Sequence, residues 1–283
     1  MRTMQEFLLW SNCTNYCEFC WQQKKKDLTT FLNEEEMLCC ITETSKMLDT
    51  INNGDDVLLV GGEILAPYYS SVNSALHALI NKCVGLVISD KIRYLYINTN
   101  LIYLDRINLM YLLDSFLGME DRLKFTTSFD IYGRFCSSIE KGIFLDNLAY
   151  IRDNYPKINI VVNSIITKQL ATSSFDFYAF KEEYKLRHIN FIPYIPVEDN
   201  RIMDVEFKDI VKVLAKAEHE NKGYIKFYIQ DLDLNQNKKL YEYHKDEGYV
   251  ECTSKYADCG HNENFRKVLG NECFICKLKD VFE

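Results

Sequence analysis

The stretch Glu6-Phe7-Leu8-Leu9-Trp10-Ser11-Asn12-Cys13-Thr14-Asn15-Tyr16-Cys17-Glu18-Phe19-Cys20-Trp21 joins a short apolar run to three cysteines spaced Cys-x3-Cys-x2-Cys. The apolar half reads as a strand, Glu6 to Trp10, and the polar half as the loop leaving its C-terminal end. Three thiolates on one short loop can wrap three irons of a cubane cluster, because the side chains converge while the intervening residues arch around the sulfides. The fourth iron is then left without a protein ligand. Structural zinc wants four closed positions, so a three-thiolate set suits a cluster whose open iron takes a small molecule. Two other readings stay open on these residues alone: a zinc loop completed from the tail of the chain, or buried apolar thiols.

Beyond this loop a strand pattern recurs with helical spacers, the signature of parallel βαβ units. The strands are Glu6 to Trp10, Asp56 to Val60, Arg93 to Asn98, Leu123 to Phe129, Ile158 to Asn163 and His188 to Tyr194. Their near-continuous apolar runs suit strands covered on both faces by crossover helices. Between the first two, Asn33 followed by Glu34-Glu35-Glu36 is a helix start, with an Asn N-cap, acidic residues in the first turn and a Glu at N3. Met37, Ile41, Thr44, Leu48 and Ile51 supply the buried stripe. Further amphipathic segments occupy 70–82, 105–117, 139–154 and 175–184. Six βα repeats predict an α/β fold, a partial parallel (β/α)6 barrel over residues 1–196 whose ligands sit at the C-terminal strand ends. After Pro196 the alternation gives way to a helix over 205–221, a strand over 224–229 and a polar helix over 237–244, so 197–283 reads as a small Cys-rich extension packed on the barrel.

Gly61-Gly62-Glu63 directly follows the second strand. Glycines there permit close backbone approach, and the carbonyls and the Glu can accept ammonium hydrogens. With the cysteine triplet upstream and a helix between, the chain resembles the radical S-adenosylmethionine (radical SAM) superfamily, whose motif is Cys-x3-Cys-x2-Cys with an aromatic residue before the last cysteine. Phe19 fills that aromatic position. The resemblance spans residues 5–196 and departs at Ile64, where many members have proline.

What the resemblance implies is a 4Fe-4S cluster on Cys13, Cys17 and Cys20, with S-adenosylmethionine chelating the open iron through its amino and carboxylate groups. Cluster reduction then splits the sulfonium, and the 5′-deoxyadenosyl radical abstracts hydrogen from a substrate. A reductant such as flavodoxin or ferredoxin would supply the electron. By the same resemblance Gly61, Gly62 and Glu63 meet the methionyl amino group, Ser128 contacts ribose and Arg134 forks a carboxylate. Asn163, ending the fifth strand, is a further ribose candidate, and the backbone near 191–194 a candidate for adenine.

Hydrophobic residues at 47% and charged residues at 26% match an ordinary globular protein. The net charge of −8 argues against a broad surface for a phosphate backbone, so nucleic acid is a disfavoured partner. Only four apolar residues, Phe7 to Trp10, follow the first six, short of a secretory segment, and no apolar run approaches membrane-spanning length. Eleven cysteines then point to reduced thiols, metal ligation and a cytoplasmic setting without a membrane partner.

Near the C-terminus Cys252, Cys259, Cys273 and Cys276 form a complete four-thiolate set, with His261 as a neighbour. It suits an auxiliary Fe-S cluster or structural zinc, and spacing does not decide. Cys39, Cys40 and Cys83 fall in helices as small core residues, whereas Cys136, in the loop after the fourth strand, is a candidate for a thiyl or substrate-linking role. The leading expectation is radical chemistry on a peptide or protein, with a nucleotide or small metabolite and a zinc tail as the alternative. A non-enzymatic Fe-S or zinc protein is the third class.

Overall fold

The computed structural model of the chain describes residues 4–17, 20, 31–193, 228–229 and 232–233. Six strands, β1 (Met4–Leu8), β2 (Asp55–Val60), β3 (Ile92–Asn98), β4 (Leu123–Ser128), β5 (Asn159–Ile166) and β6 (His188–Pro193), form one sheet in sequential order. Pairing from β1 through β4 is parallel, with Glu6 opposite Leu58, Leu58 opposite Tyr96 and Tyr96 opposite Lys124. Among the described residues, sequential order with a helix in each crossover and no closure of the sheet is the open (β/α)6 arrangement that the alternation predicts. Two further strands, β7 (Tyr228–Ile229) and β8 (Leu232–Asp233), make a short antiparallel ladder.

Alternation along the strands decides which side chains are buried. Val57 and Leu59, Leu95 and Ile97, and Leu123 and Phe125 are shielded completely or almost so, while Leu58, Tyr96 and Lys124 between them keep partial exposure. The buried stripe of helix α1 (Glu34–Leu48) is Met37, Ile41, Thr44 and Leu48, continued by Ile51. That is the stripe read from the 3.6-residue period. Asn33 caps α1 through a complete capping box: its side chain accepts from the Glu36 N–H, and the Glu36 carboxylate accepts from the Asn33 N–H at 2.8 Å.

Helix α2 (Ser70–Ile88) runs six residues beyond the sequence reading. Gly85 falls on its solvent side, so the apolar residues Cys83 and Val87 continue the buried stripe rather than ending it. By length and composition α2 is the one helix among the described residues that could cross a membrane, yet its Val72, Leu76, Leu79, Ile80, Cys83 and Val87 build the protein core. The remaining α-helices among the described residues are α3 (Ile107–Ser115), α4 (Ser138–Asn154), a short unanticipated α5 (Lys168–Thr172) and α6 (Phe177–Glu183).

The chain divides into two compact units, 1–128 with 133–161 and 184–187, and 129–132 with 162–183 and 188–283. The division runs through the repeats. In the second unit Phe129 stacks on Phe180 at 4.4 Å and the Asn163 carbonyl accepts from the Phe129 N–H at 2.8 Å. The four tail cysteines, Phe19, and the helices read over 205–221 and 237–244 lie outside the described residues.

Candidate functional site

The site forms in the first unit where β1, β2 and β3 end. Backbone pairing continues past the last regular residue of β1: Leu9 donates to Val60, Gly62 donates to Trp10 at 2.8 Å, and Glu63 donates to Asn12 at 2.8 Å. The Gly-Gly turn therefore lies directly against the start of the cysteine loop. A Cβ at Gly62 would stand 2.2 Å from the Asn12 carbonyl oxygen and 2.4 Å from that of Ser11, and one at Gly61 would stand 2.6 Å from the Trp10 oxygen. Glycine is required here by the approach of two backbones within the protein itself. Tyr68 adds a clamp, its hydroxyl donating to the Asn12 and Glu63 carbonyls at 2.9 and 3.1 Å, and Trp10 donates its indole N–H to Glu63 at 3.2 Å.

Three asparagines shape the loop. Asn12 pairs with the backbone of Leu32 in both directions at 2.8 Å, fixing where the chain returns toward α1. Asn15, almost wholly buried, accepts from the Tyr16 N–H at 3.0 Å and donates both to the Cys17 sulfur at 3.2 Å and to the Arg134 carbonyl at 3.0 Å. Asn100, from the end of β3, donates to the Cys13 sulfur at 3.4 Å.

Glu63 is fully buried and joins the second strand end to the third. Its carboxylate accepts from the Leu65 N–H at 2.9 Å and from the Asn100 N–H, and the Thr99 hydroxyl sits 2.9 Å from each oxygen. Burial pushes this carboxyl up to about 7, against the Leu65, Asn100 and Thr99 donors and the nearby Arg134 charge, all of which favour the ionised form. Burial likewise pushes the Cys13 thiol up, opposed by the Asn15 N–H and raised further by the Glu63 charge. The turn after β3 holds Leu101 at φ 58°, a left-handed conformation rare for a bulky residue. The Thr99 hydroxyl accepts the Leu101 N–H, the Asn100 side chain accepts the Ile102 N–H, and the buried Asn147 amide donates to Leu101 and Tyr103 carbonyls at 2.9 Å. Local strain stored this way persists only where surrounding contacts over-determine it.

Of the residues singled out by sequence, Cys13, Cys17 and Cys20 are half-buried thiols of one loop, with the Cys20 N–H bonded to the Cys17 carbonyl at 3.1 Å. Gly61, Gly62 and Glu63 pack against that loop, and Arg134 is brought to it through its carbonyl bond from Asn15. Ser128 ends β4, half-buried, in the same unit. Asn163 belongs to the second unit, where its side-chain oxygen accepts from the Asn190 amide at 3.0 Å. Cys136 is exposed, its sulfur 3.9 Å from the Tyr16 carbonyl of the cysteine loop and its N–H donating to Glu140 at 2.6 Å. Asn12, Asn15, Tyr68, Thr99 and Asn100 were not anticipated. The available signal was local: asparagines beside the first two cysteines, and the polar run Asn98-Thr99-Asn100 abruptly ending an apolar strand.

The donor chemistry fits a thiolate-held cluster, since side-chain amides already point N–H groups at two of the three sulfurs. Among the described residues no three His, Cys, Asp or Glu side chains converge where a single ion would sit. A cubane asks for something else, because each thiolate binds a separate iron.

No protein-family model matches the chain and no curated protein does. Solved structures do match in fold. Native anSMEcpe with bound AdoMet is 14% identical at a TM-score of 0.53, over 93% of this chain and 68% of that one. The complex of anSMEcpe with AdoMet and the Cp18Cys peptide aligns at a TM-score of 0.54 with 14% identity, over 92% and 67%. SuiB from Streptococcus suis, bound to its precursor peptide SuiA, aligns at 0.52 with 14% identity over 84% of this chain. The chain spans about two thirds of the anSMEcpe length and 51% of the SuiB length. These likenesses establish the fold, a partial (β/α) barrel.

Proposed function

We propose that this chain is a radical SAM enzyme that acts on a peptide or protein. The observation that carries the reading is the cysteine loop itself: Cys13, Cys17 and Cys20 leave β1 on one loop, two of their sulfurs receive amide donors, and the loop is clamped against Gly61-Gly62-Glu63. Support for the cofactor comes from the fold shared with anSMEcpe, whose structure holds AdoMet, and support for the substrate class from the peptide complexes of anSMEcpe and SuiB. A 4Fe-4S cluster and S-adenosylmethionine, when bound, supply one-electron cleavage of the sulfonium and a 5′-deoxyadenosyl radical that abstracts hydrogen.

The protein's own part is placement. Cys13, Cys17 and Cys20 would hold the cluster. The carbonyls of the Gly-Gly turn and Glu63 would receive the methionyl ammonium, Arg134 would offer its guanidinium to the carboxylate, and Ser128 would meet the ribose. The Cys252, Cys259, Cys273 and Cys276 set is assigned a second Fe-S cluster or zinc, and Cys136 stands beside the loop as a candidate for a radical or covalent step. The electron donor is assigned to a flavodoxin or ferredoxin and the setting to the cytoplasm.

The test is anaerobic purification, iron and sulfide analysis, and assay of 5′-deoxyadenosine with S-adenosylmethionine and dithionite. The reading expects a brown protein that releases the nucleoside, and a Cys13/Cys17/Cys20 triple Ala variant that does not. A colourless, inert wild-type chain after reconstitution overturns it.

A further inference from the structure

We propose that Asn15 and Asn100 are preset amide donors to the thiolates of Cys17 and Cys13, and that this pair sets the reduction potential of the cluster those thiolates hold. The inference rests on the reading of the cysteine loop given above and adds to it two residues that hold no iron themselves.

The geometry fixes which end of each amide faces sulfur. A backbone N–H can only donate, so the group it meets must be an acceptor. The Tyr16 N–H points at one side-chain terminus of Asn15 at 3.0 Å, and the Ile102 N–H points at one terminus of Asn100 at 2.7 Å. Each must be the carbonyl oxygen. The NH2 ends are thereby forced toward the sulfurs, 3.2 Å from Cys17 and 3.4 Å from Cys13.

Neither side chain is free to turn away. Asn15 is 1% exposed and its amide also donates to the Arg134 carbonyl at 3.0 Å, which ties the loop to the segment before α4. Asn100 is 7% exposed, its own N–H is held by the Glu63 carboxylate, and it stands in the strained turn that places Leu101 at φ 58°. The Asn15 side chain is thus held by two bonds besides its contact with sulfur, and Asn100 by one bond to its side chain and one to its own N–H. That is more constraint than a surface loop needs, and it is spent on an N–H to sulfur contact.

The consequence is electrostatic. One-electron reduction adds negative charge that spreads onto the thiolates, and a fixed N–H dipole stabilises the reduced form more than the oxidised form. Around the buried Asn15 and Asn100 side chains the effect is strengthened by low local polarity. Both residues are positioning residues, acting through Cys13 and Cys17.

Asn15→Ser and Asn100→Ser are neutral changes that keep a short oxygen near the Tyr16 and Ile102 N–H groups but no longer reach sulfur. Redox titration of the reconstituted full chain, followed by EPR, reads the outcome. Each variant is expected to lower the equilibrium constant for one-electron reduction about tenfold, which is about 59 mV. Asn81→Ser, whose amide donates to the Tyr111 hydroxyl, serves as the control and leaves the potential unchanged. A readout independent of any variant is the wild-type chain labelled with 15N in its asparagine amides, where the reduced cluster should show a weak nitrogen hyperfine coupling. Iron-loaded protein with unmoved potentials, or without that coupling, overturns this inference alone. A wild-type chain that takes up no iron overturns the proposed function, and this inference with it.

Discussion

Replacing Gly62 by Ala is the sharpest perturbation of the site that adds no charge. The new methyl would stand 2.2 Å from the Asn12 oxygen, 2.4 Å from the Ser11 oxygen and 2.5 Å from the Asn12 carbonyl carbon. All three are backbone atoms, so no rotamer change relieves the overlap. The cysteine loop must retreat by roughly 1 Å to restore ordinary contact, which breaks the bonds from Gly62 to Trp10 and from Glu63 to Asn12, each 2.8 Å. Two backbone donors left unmet at about 1–3 kcal/mol each give about 2–6 kcal/mol of destabilisation, a large share of the stability of an ordinary domain. Gly85→Ala is the matched control: nothing lies within 4 Å of its added methyl, it stands inside α2, and the change should stabilise by about 1 kcal/mol. Urea unfolding of the full chain measures both. A Gly62→Ala protein whose midpoint matches the wild type would refute the claim that the turn and the loop need this closeness.

Two other substitutions follow from particular contacts. Glu63 is an acid whose folded pKa, about 7, lies above its ordinary 4.5 because of burial. Between those values the unfolded chain has released a proton that the folded chain keeps, so this group makes stability fall as pH rises through the window, by about 3 kcal/mol in all. Glu63→Gln should be less stable, because its amide nitrogen must face the N–H of either Leu65 or Asn100, yet should lose that slope in urea midpoints taken between about pH 5 and 7. An unchanged slope would assign the proton elsewhere. Asn33→Ala removes a complete capping box and should cost about 1 kcal/mol in the same assay, and a shift near zero would mean the cap contributes nothing to α1.

Periodicity made the scaffold legible. The alternation that bounds β2, β3 and β4, and the Met37-Ile41-Thr44-Leu48 stripe, are local consequences of what each element must bury, so the chain displays them directly. Element ends were less legible because they are settled by partners. The ladder of β1 extends irregularly to Asn12 only because the Gly-Gly turn offers donors and acceptors there, and α2 passes Lys82 only because Gly85 faces solvent. The cysteine triplet stood out in the sequence by its spacing. The asparagines did not, since an Asn in a loop reads as a turn residue until a sulfur from another strand end is seen beside it. Glu63 was legible as part of a motif, while its ties to Thr99 and Asn100 were hidden in the meeting of β2 with β3.

The most direct test of the account is EPR of the reduced, reconstituted chain before and after S-adenosylmethionine is added, in a variant with Cys252, Cys259, Cys273 and Cys276 replaced so that only the N-terminal loop reports. An iron left bare by Cys13, Cys17 and Cys20 predicts a cluster spectrum that changes when the nucleotide binds. A cluster signal identical with and without it would mean that the fourth position is already closed, and the account would be wrong at its centre.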